Sequence, residues 1–335
     1  MKMKRAKIVF VLCLSCFLCG SLSLFAEGSL EEPEVSPRKE SAGVVVRIGG
    51  LKGPSSVGMM GLISGTAKGV SIDFQVVPTP DVMTARVLSG EVDCAALPIN
   101  LAANLYNKGV PYVLAAITGN GVIHLASVDG TVKSIADLKG KKVYNVNKGS
   151  TPDFLLRYLM SKAGLSEGDV TVDFSLSQTD LVQYFAAGKA EIAVIPEPFL
   201  TLAMKKNPRL QAGIDLQEEW GRVSGTGKSY PATAFFVKRS FLEEHPDAGK
   251  ALLAAYADSI QWVQQNPLEA GRRAEQYLEI PQALVAEAMP RLGLTFVPAS
   301  EAKADVRAFL SLLYDYAPQS IGGKLPDEAF FYTQP

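Results

Sequence analysis

The stretches LSGEVDCAALPINLAANLYNKG (Leu88–Gly109) and AAGKAEIAVIPEPFLTLAMKKN (Ala186–Asn207) resemble one another and lie about 98 positions apart. Each contains a glycine turn, an apolar strand that ends at a proline, and a helix. Pro98 in the first stretch is equivalent to Pro196 in the second. Turn residues recur in all α/β proteins, but four landmarks in one order at nearly one offset predict two similar halves that face each other across a cleft.

Strands and helices alternate from Val44 onward, which favours parallel pairing and right-handed crossovers. About 290 residues follow the amino-terminal region, enough for two medium domains. Apolar stripes at helical spacing near the carboxyl terminus, such as those at Leu252 and Phe309, predict core packing. The predicted fold is α/β and two-lobed, each lobe a mixed, mostly parallel sheet flanked by helices. Lobe I comprises residues 44–128 and 232–335, and lobe II comprises residues 129–231.

The first 26 residues have the layout of a secretory signal peptide, with four basic residues before the apolar run Ile8–Leu18. The run is too short for a stable membrane span. Residues 27–43 are polar and predict a flexible linker. Cleavage after Ala26 and lipid attachment at Cys16, as in a lipoprotein, both stay open, as does an uncleaved anchor. Each outcome places the body outside the cytoplasm, in the periplasm or at the membrane surface.

The rest of the chain contains few residues or motifs that are typical of catalysis or metal binding. Cys94 is the one cysteine beyond the signal, so a disulfide framework within the domain is excluded. His124 and His245 do not lie at metal-ligand spacing. Nucleophile-elbow, Walker and dinucleotide motifs are missing from the sequence. Mild acidity without basic clusters argues against nucleic acid as a partner. We therefore expect neither catalytic residues nor a metal or cofactor.

Polar residues follow the predicted strands at their carboxyl ends, where open α/β sheets bind ligands. The predicted ligand residues of the first wall are Lys52, Gly53, Pro54, Ser55, Ser56, Pro98, Asn100, Thr118, Gly119 and Asn120. Those of the second wall are Lys148, Gly149, Ser150, Thr151, Gln178 and Glu197, with Tyr230 near the return to lobe I.

Each of these residues also has a structural interpretation. The glycines in the two Lys-Gly loops shape turns, and Ser150 or Thr151 caps the helix that follows. The free amides of that helix could instead hold an anionic group. Glu197 could bind a cationic group or face solvent.

The segment LSGEVDCAALPINLAANLYNKGVPYVLAA, then SIADLKGKKVYNVNKGSTPDFLLRYLMSKAGL and IPEPF, resembles the periplasmic substrate-binding proteins of ABC importers. The group includes binders of nitrate, sulfonate, taurine and thiamine precursors. The resemblance implies a type II periplasmic-binding fold, with crossovers near residues 127–130 and 230–233 and ligand contacts at Lys52–Ser56 and Gly149–Thr151. The ending Pro98-Ile99-Asn100 departs from the family's usual polar pair. The cysteine-rich motif of a related yeast enzyme is missing.

These features predict a non-enzymatic, extracytoplasmic solute-binding protein. It would capture a small anionic or heterocyclic solute by lobe closure and deliver it to the permease and ATPase complex of an ABC importer. We expect a monomer that contacts the membrane only through the permease or a lipid anchor. Two alternatives stay open: a lyase on the same fold, resembling chorismate dehydratase, and a ligand-sensing ectodomain for a signalling partner.

Overall fold

The computed structural model describes residues 43–63, 69–146, 148, 151–227 and 229–333. The predicted signal peptide, nearly all of the predicted linker, and the predicted ligand residues Gly149 and Ser150 lie outside the described residues. From Ser41 onward the chain forms one compact unit. Among the helices described, none combines the length and apolarity needed to cross a bilayer.

The strands in the described residues are β1 (Val44–Leu51), β2 (Val70–Val77), β3 (Cys94–Pro98), β4 (Tyr112–Asn120), β5 (Ile123–Val128), β6 (Lys142–Tyr144), β7 (Thr171–Asp173), β8 (Ile192–Pro196), β9 (Leu210–Asp215), β10 (Pro231–Lys238) and β11 (Leu294–Pro298). The α-helices are α1 (Pro54–Val57), α2 (Pro80–Ser89), α3 (Ile99–Asn107), α4 (Thr151–Lys162), α5 (Gln178–Ala186), α6 (Phe199–Lys206), α7 (Leu216–Ser224), α8 (Arg239–Glu244), α9 (Pro246–Gln265), α10 (Pro267–Leu278), α11 (Gln282–Ala288) and α12 (Ala299–Tyr316).

These strands form two mixed sheets with a shared strand order. The first is ordered β11-β4-β10-β3-β1-β2 and the second β7-β6-β8-β5-β9. In the first sheet, β10 runs antiparallel to β3 and β4, and in the second, β5 runs antiparallel to β8 and β9. The order β2-β1-β3-β10-β4 therefore matches β7-β6-β8-β5-β9 strand for strand. The sequence repeat corresponds to a repeated sheet, and the predicted two-lobed α/β fold is present.

The repeat extends to the turns and caps between strands. Thr79 caps α2 by accepting a hydrogen bond from the Val82 amide, and Ser177 caps α5 in the same way. Gly90 and Gly188 follow these helices with φ angles of 72° and 67°. Residues other than glycine rarely adopt this left-handed backbone conformation. The equivalent helices α2 and α5 thus begin with the same kind of cap and end with the same kind of glycine turn.

We call the first sheet and its helices lobe I, and the second sheet with α4–α7 lobe II. The chain passes from lobe I to lobe II between Asn120 and Ile123 and returns between Ser224 and Pro231. The sequence had placed residues up to 128 in lobe I and the first crossover at 127–130. The position differs because β5 pairs with β8 and β9 and is the antiparallel strand of the second sheet.

The central strand β3 is buried on both faces, as expected for a parallel strand between helical layers. Cys94 and Ala96 pack into the core that contains Leu252 of α9. Leu97 packs into the opposite core with Phe309 of α12. The apolar stripes at the carboxyl terminus are therefore core, and they hold α9 and α12 against lobe I.

Candidate functional site

A cavity of about 660 Å³ lies between the strand ends of the two sheets. Lobe I contributes Pro98 at the end of β3, and lobe II contributes Pro196 at the equivalent end of β8. The carboxyl ends of parallel strands are where open α/β sheets bind ligands. The repeated strand ends therefore form opposing walls of one cavity.

Nine of the predicted ligand residues line this cavity. They come from both lobes and from the return crossover: Pro54, Ser55, Pro98, Asn100, Gly119, Asn120, Thr151, Gln178 and Tyr230. They meet because β1, β3 and β4 end on one side and the helices α4 and α5 begin on the other.

The other described candidates are not part of the cavity lining. Lys52 is exposed and its Nζ lies 2.5 Å from Oε2 of Glu279. Ser56 is buried and donates a hydrogen bond to the Leu51 carbonyl. The remaining candidates in this group are Gly53, the buried Thr118, the exposed Lys148, and Glu197.

The cavity lining also includes residues that the sequence did not indicate. Asp81 lies in the first turn of α2, next to Pro80, which is equivalent to the predicted Gln178. The repeat was the signal that could have found it. Leu292 and Leu294 come from the turn before β11 and its first residue. No sequence motif marks them, because they reach the cleft only through the folding of the long segment that follows the return of the chain to lobe I.

The cavity lining combines few charged side chains with several helix amino termini. Within the described part of the chain, Asp81 is the one charged side chain in the lining. The first residues of α2, α4 and α5 line the cavity, and so does Asn100 in the first turn of α3. Helix amino termini carry partial positive charge and unpaired amides. The α3 terminus has no side-chain cap, so its amides are available to an acceptor group.

Tyr230 shapes the wall of the cavity without exposing its hydroxyl. Its side chain is fully buried, and its ring stacks on Phe309 with centroids 4.7 Å apart. Burial raises the pKa of the Tyr230 phenol well above its ordinary value, so the group is neutral. At Gly121 a Cβ atom would lie 2.2 Å from the Tyr230 Cζ. Glycine is therefore required where the chain crosses between lobes beside this ring.

Glu197 belongs to a buried network behind the cavity. Its carboxylate accepts hydrogen bonds from Nε of Arg291, and from the amide and hydroxyl of Thr201 at 3.1 Å and 2.8 Å. Arg291 also donates to the Thr201 hydroxyl at 2.6 Å. Glu197 and Thr201 belong to lobe II, whereas Arg291 follows α11 in lobe I. The network thus joins the two lobes.

Residues of both crossovers line a second cavity of about 500 Å³. His124 of β5 lines it together with Asp215 and Gly121. Burial lowers the pKa of the His124 imidazole, and the carboxylates of Asp215 and Glu197 partly oppose this effect. His124 is therefore neutral at neutral pH.

The described residues do not bring together three or more His, Cys, Asp or Glu side chains in a group that could hold a metal ion. Cys94 is buried, and burial raises the pKa of its thiol well above the ordinary value. A thiol in such surroundings is unreactive.

Comparison with known proteins supplies independent information about ancestry. A Brucella abortus (strain 2308) protein named as a candidate binding protein is 29% identical over 49% of this chain and 49% of its own length. The chain thus spans about half the length of the curated relatives it matches. An ABC transporter structure from Parabacteroides distasonis has a TM-score of 0.76 and 26% identity, covering 87% of this chain and all of that one.

The periplasmic aliphatic sulphonate binding protein SsuA of Escherichia coli has the same fold. Its TM-score is 0.67 with 18% identity, over 86% of this chain and 95% of that one. The sequence profile of the family described as NMT1/THI5 like matches residues 66–270, more than half of the chain. The chain belongs to the NMT1/THI5-like family.

Proposed function

We propose that the protein is an extracytoplasmic solute-binding protein that captures a small solute between its lobes and delivers it to an ABC importer. The observation that carries this proposal is the cavity of about 660 Å³ bounded by equivalent strand ends of both lobes. Its volume falls in the range of small-molecule sites. The sulphonate-binding role of SsuA, which has the same fold, supports the proposal.

The solute is small and anionic or heterocyclic. An acceptor group on the solute would bind the uncapped amides at the start of α3, supported by the side chains of Asn100 and Gln178. Asp81 disfavours a second negative charge near α2 and favours a donor group there. Apolar walls, including Leu292, suit the body of such a molecule.

The signal layout of the amino-terminal sequence supports export, with either cleavage after Ala26 or lipid attachment at Cys16. A monomer in the periplasm, or tethered to the membrane by the polar linker, would reach a permease and its ATPase. Passive capture requires no catalytic residue, metal or cofactor. Closure of the lobes about the crossovers would bury the solute and present one surface to the permease.

Native mass spectrometry of freshly purified protein, followed by small-angle scattering, tests the proposal. We expect one carried solute per chain, and a smaller radius of gyration with solute than without it. A panel with ethanesulfonate and nitrate would follow if the carried molecule is lost in purification. Conversion of the solute to a product would favour the lyase alternative. An unchanged radius of gyration at saturation would contradict the closing cleft.

A further inference from the structure

The ion pair between Arg291 and Glu197 lies directly behind both walls of the solute cavity. Glu197 follows Pro196, which lines the cavity from lobe II. Arg291 precedes Leu292, which lines it from lobe I. One residue on each side thus separates the pair from the cleft. The pair therefore connects the two chain segments that carry the opposing walls.

Burial makes the pair sensitive to lobe separation. The Glu197 side chain has no exposed surface, whereas the Arg291 side chain is 32% exposed. A buried carboxylate requires a counter-charge and hydrogen-bond donors. The Thr201 amide and hydroxyl stay with the carboxylate in lobe II, but the guanidinium belongs to lobe I. Separation of the lobes would therefore remove the cation and admit water.

We propose that Arg291 and Glu197 form a positioning pair that ties the two cavity walls together and stabilises the arrangement of the lobes that the structure shows. The pair sets the separation of Pro196 and Leu292, and it acts on the cavity walls without contact with the solute. The consequence for solute capture rests on the proposed function, but the tie between the lobes does not. Glu197, predicted as a ligand residue, acts one layer behind the site.

A second ion pair offers a matched control. Nζ of Lys205 in α6 lies 2.5 Å from Oε2 of Glu287 in α11, so it also joins lobe II to lobe I. Both side chains are more than a third exposed, at 41% and 49%. Exposed pairs contribute little because water and salt screen them. Removal of this pair should leave the lobes together.

Hydrogen exchange of the full chain without added solute tests the tie. The variants are Glu197→Gln, Arg291→Gln, their combination, and Lys205→Met as control. Two segments report, residues 192–206 in lobe II and residues 289–298 in lobe I. Each single variant should lower protection about 10-fold in both segments, because one broken contact releases both walls. The combination should lose no more than either single variant, and the control should change less than about 3-fold.

Loss of protection only in the segment that carries each substitution, with additive effects in the combination, would overturn the proposal. If Glu197→Gln does not fold, Arg291→Lys gives the same test, since it keeps the charge but cannot reach both Glu197 and Thr201. Because the assay contains no added solute, its outcome is separate from that of the proposed function. If both segments lose protection together but no solute is captured, the tie is supported and solute binding is contradicted. If solute is captured but the segments lose protection independently, solute binding is supported and the tie is contradicted.

Discussion

The ends of β3 and β8 are equivalent in the two lobes, but the residues after them make different contacts. After Pro98 in lobe I, the side chain of Asn100 lines the cavity. After Pro196 in lobe II, Glu197 points away from the cavity to Arg291 of the other lobe. The repeat has kept the strand, the proline and the helix, and it has changed the two residues that follow the proline. One strand end is suited to contact solute, and the other joins the lobes.

The largest effect should come from making lobe II resemble lobe I at this point. Ile99 is equivalent to Glu197, and Glu197→Ile removes the carboxylate that accepts hydrogen bonds from both Arg291 and Thr201. We expect a loss of about 2–3 kcal/mol in the free energy of unfolding, measured by urea denaturation. The value lies below the range for fully buried pairs because Arg291 keeps access to water.

The double variant Glu197→Ile with Arg291→Met is the control. Well-packed apolar residues often replace a buried ion pair without loss. Its free energy of unfolding should return to within about 1 kcal/mol of the wild type. A double variant as unstable as the single one would mean that the site requires the carboxylate for reasons other than its partner.

Local patterns predict the repeated parts of the fold, and long-range pairing decides the rest. The caps Thr79 and Ser177 and the glycine turns are short-range features that the sequence displays directly. The apolar run Ile123–Val128 predicts a strand equally well in either lobe. Its place in the second sheet depends on pairing with β8, about 70 residues further along the chain. The prediction from local patterns therefore placed the first crossover too far along the chain.

The same distinction applies to the site. Pro98, Asn100 and Gln178 were predicted because carboxyl strand ends and helix starts converge in this class of fold. The partner of Glu197 is 94 residues away, in a turn that carries no motif. A carboxylate at a strand end therefore looked like a ligand contact. Only the packing of α11 against α6 reveals its partner.

The cavity side of the comparison can be tested at Asn100. Asn100→Ala should weaken binding of the carried solute about 10-fold, as expected for loss of one hydrogen bond to a polar group in a buried site. Titration calorimetry with the solute identified by mass spectrometry measures the change. Asn104→Ala is the control in the same helix, because its Nδ2 donates to the Gln319 carbonyl outside the cavity lining. Equal losses in both variants would indicate damage to α3 and no solute contact.

His124 distinguishes the antiparallel strands of the two lobes. It pairs with Ile195 in β8, and Ala234 pairs with the equivalent Leu97 in β3. Because burial lowers the pKa of folded His124, the unfolded chain binds the proton first as pH falls below about 6.5. Its contribution to stability should be constant above that pH. Below it, stability should fall with a slope of up to about 1.4 kcal/mol per pH unit, until the folded histidine also titrates.

Urea denaturation between pH 5 and pH 8, where the imidazole titrates, measures this dependence. His124→Gln should flatten the fall below pH 6.5, because glutamine does not titrate and keeps a polar group beside Asp215. Carboxylates elsewhere supply the dependence that persists. If the variant and the wild type show the same slope, His124 is not the group that takes up the proton.

The smallest effect should come from Lys52, the lysine of the first Lys-Gly loop. The repeat predicts equivalent ligand contacts for this loop and for the loop at Lys148. Both lysines are exposed, however, and Lys52 pairs with Glu279. Lys52→Ala should change solute affinity less than about 2-fold, since exposed ion pairs contribute little. Ser55→Ala, three residues later and in the cavity lining, should weaken binding more in the same titration. A 10-fold loss on removal of Lys52 would instead mean that closure brings this loop onto the solute and supplies a cation that the described cavity lining does not contain.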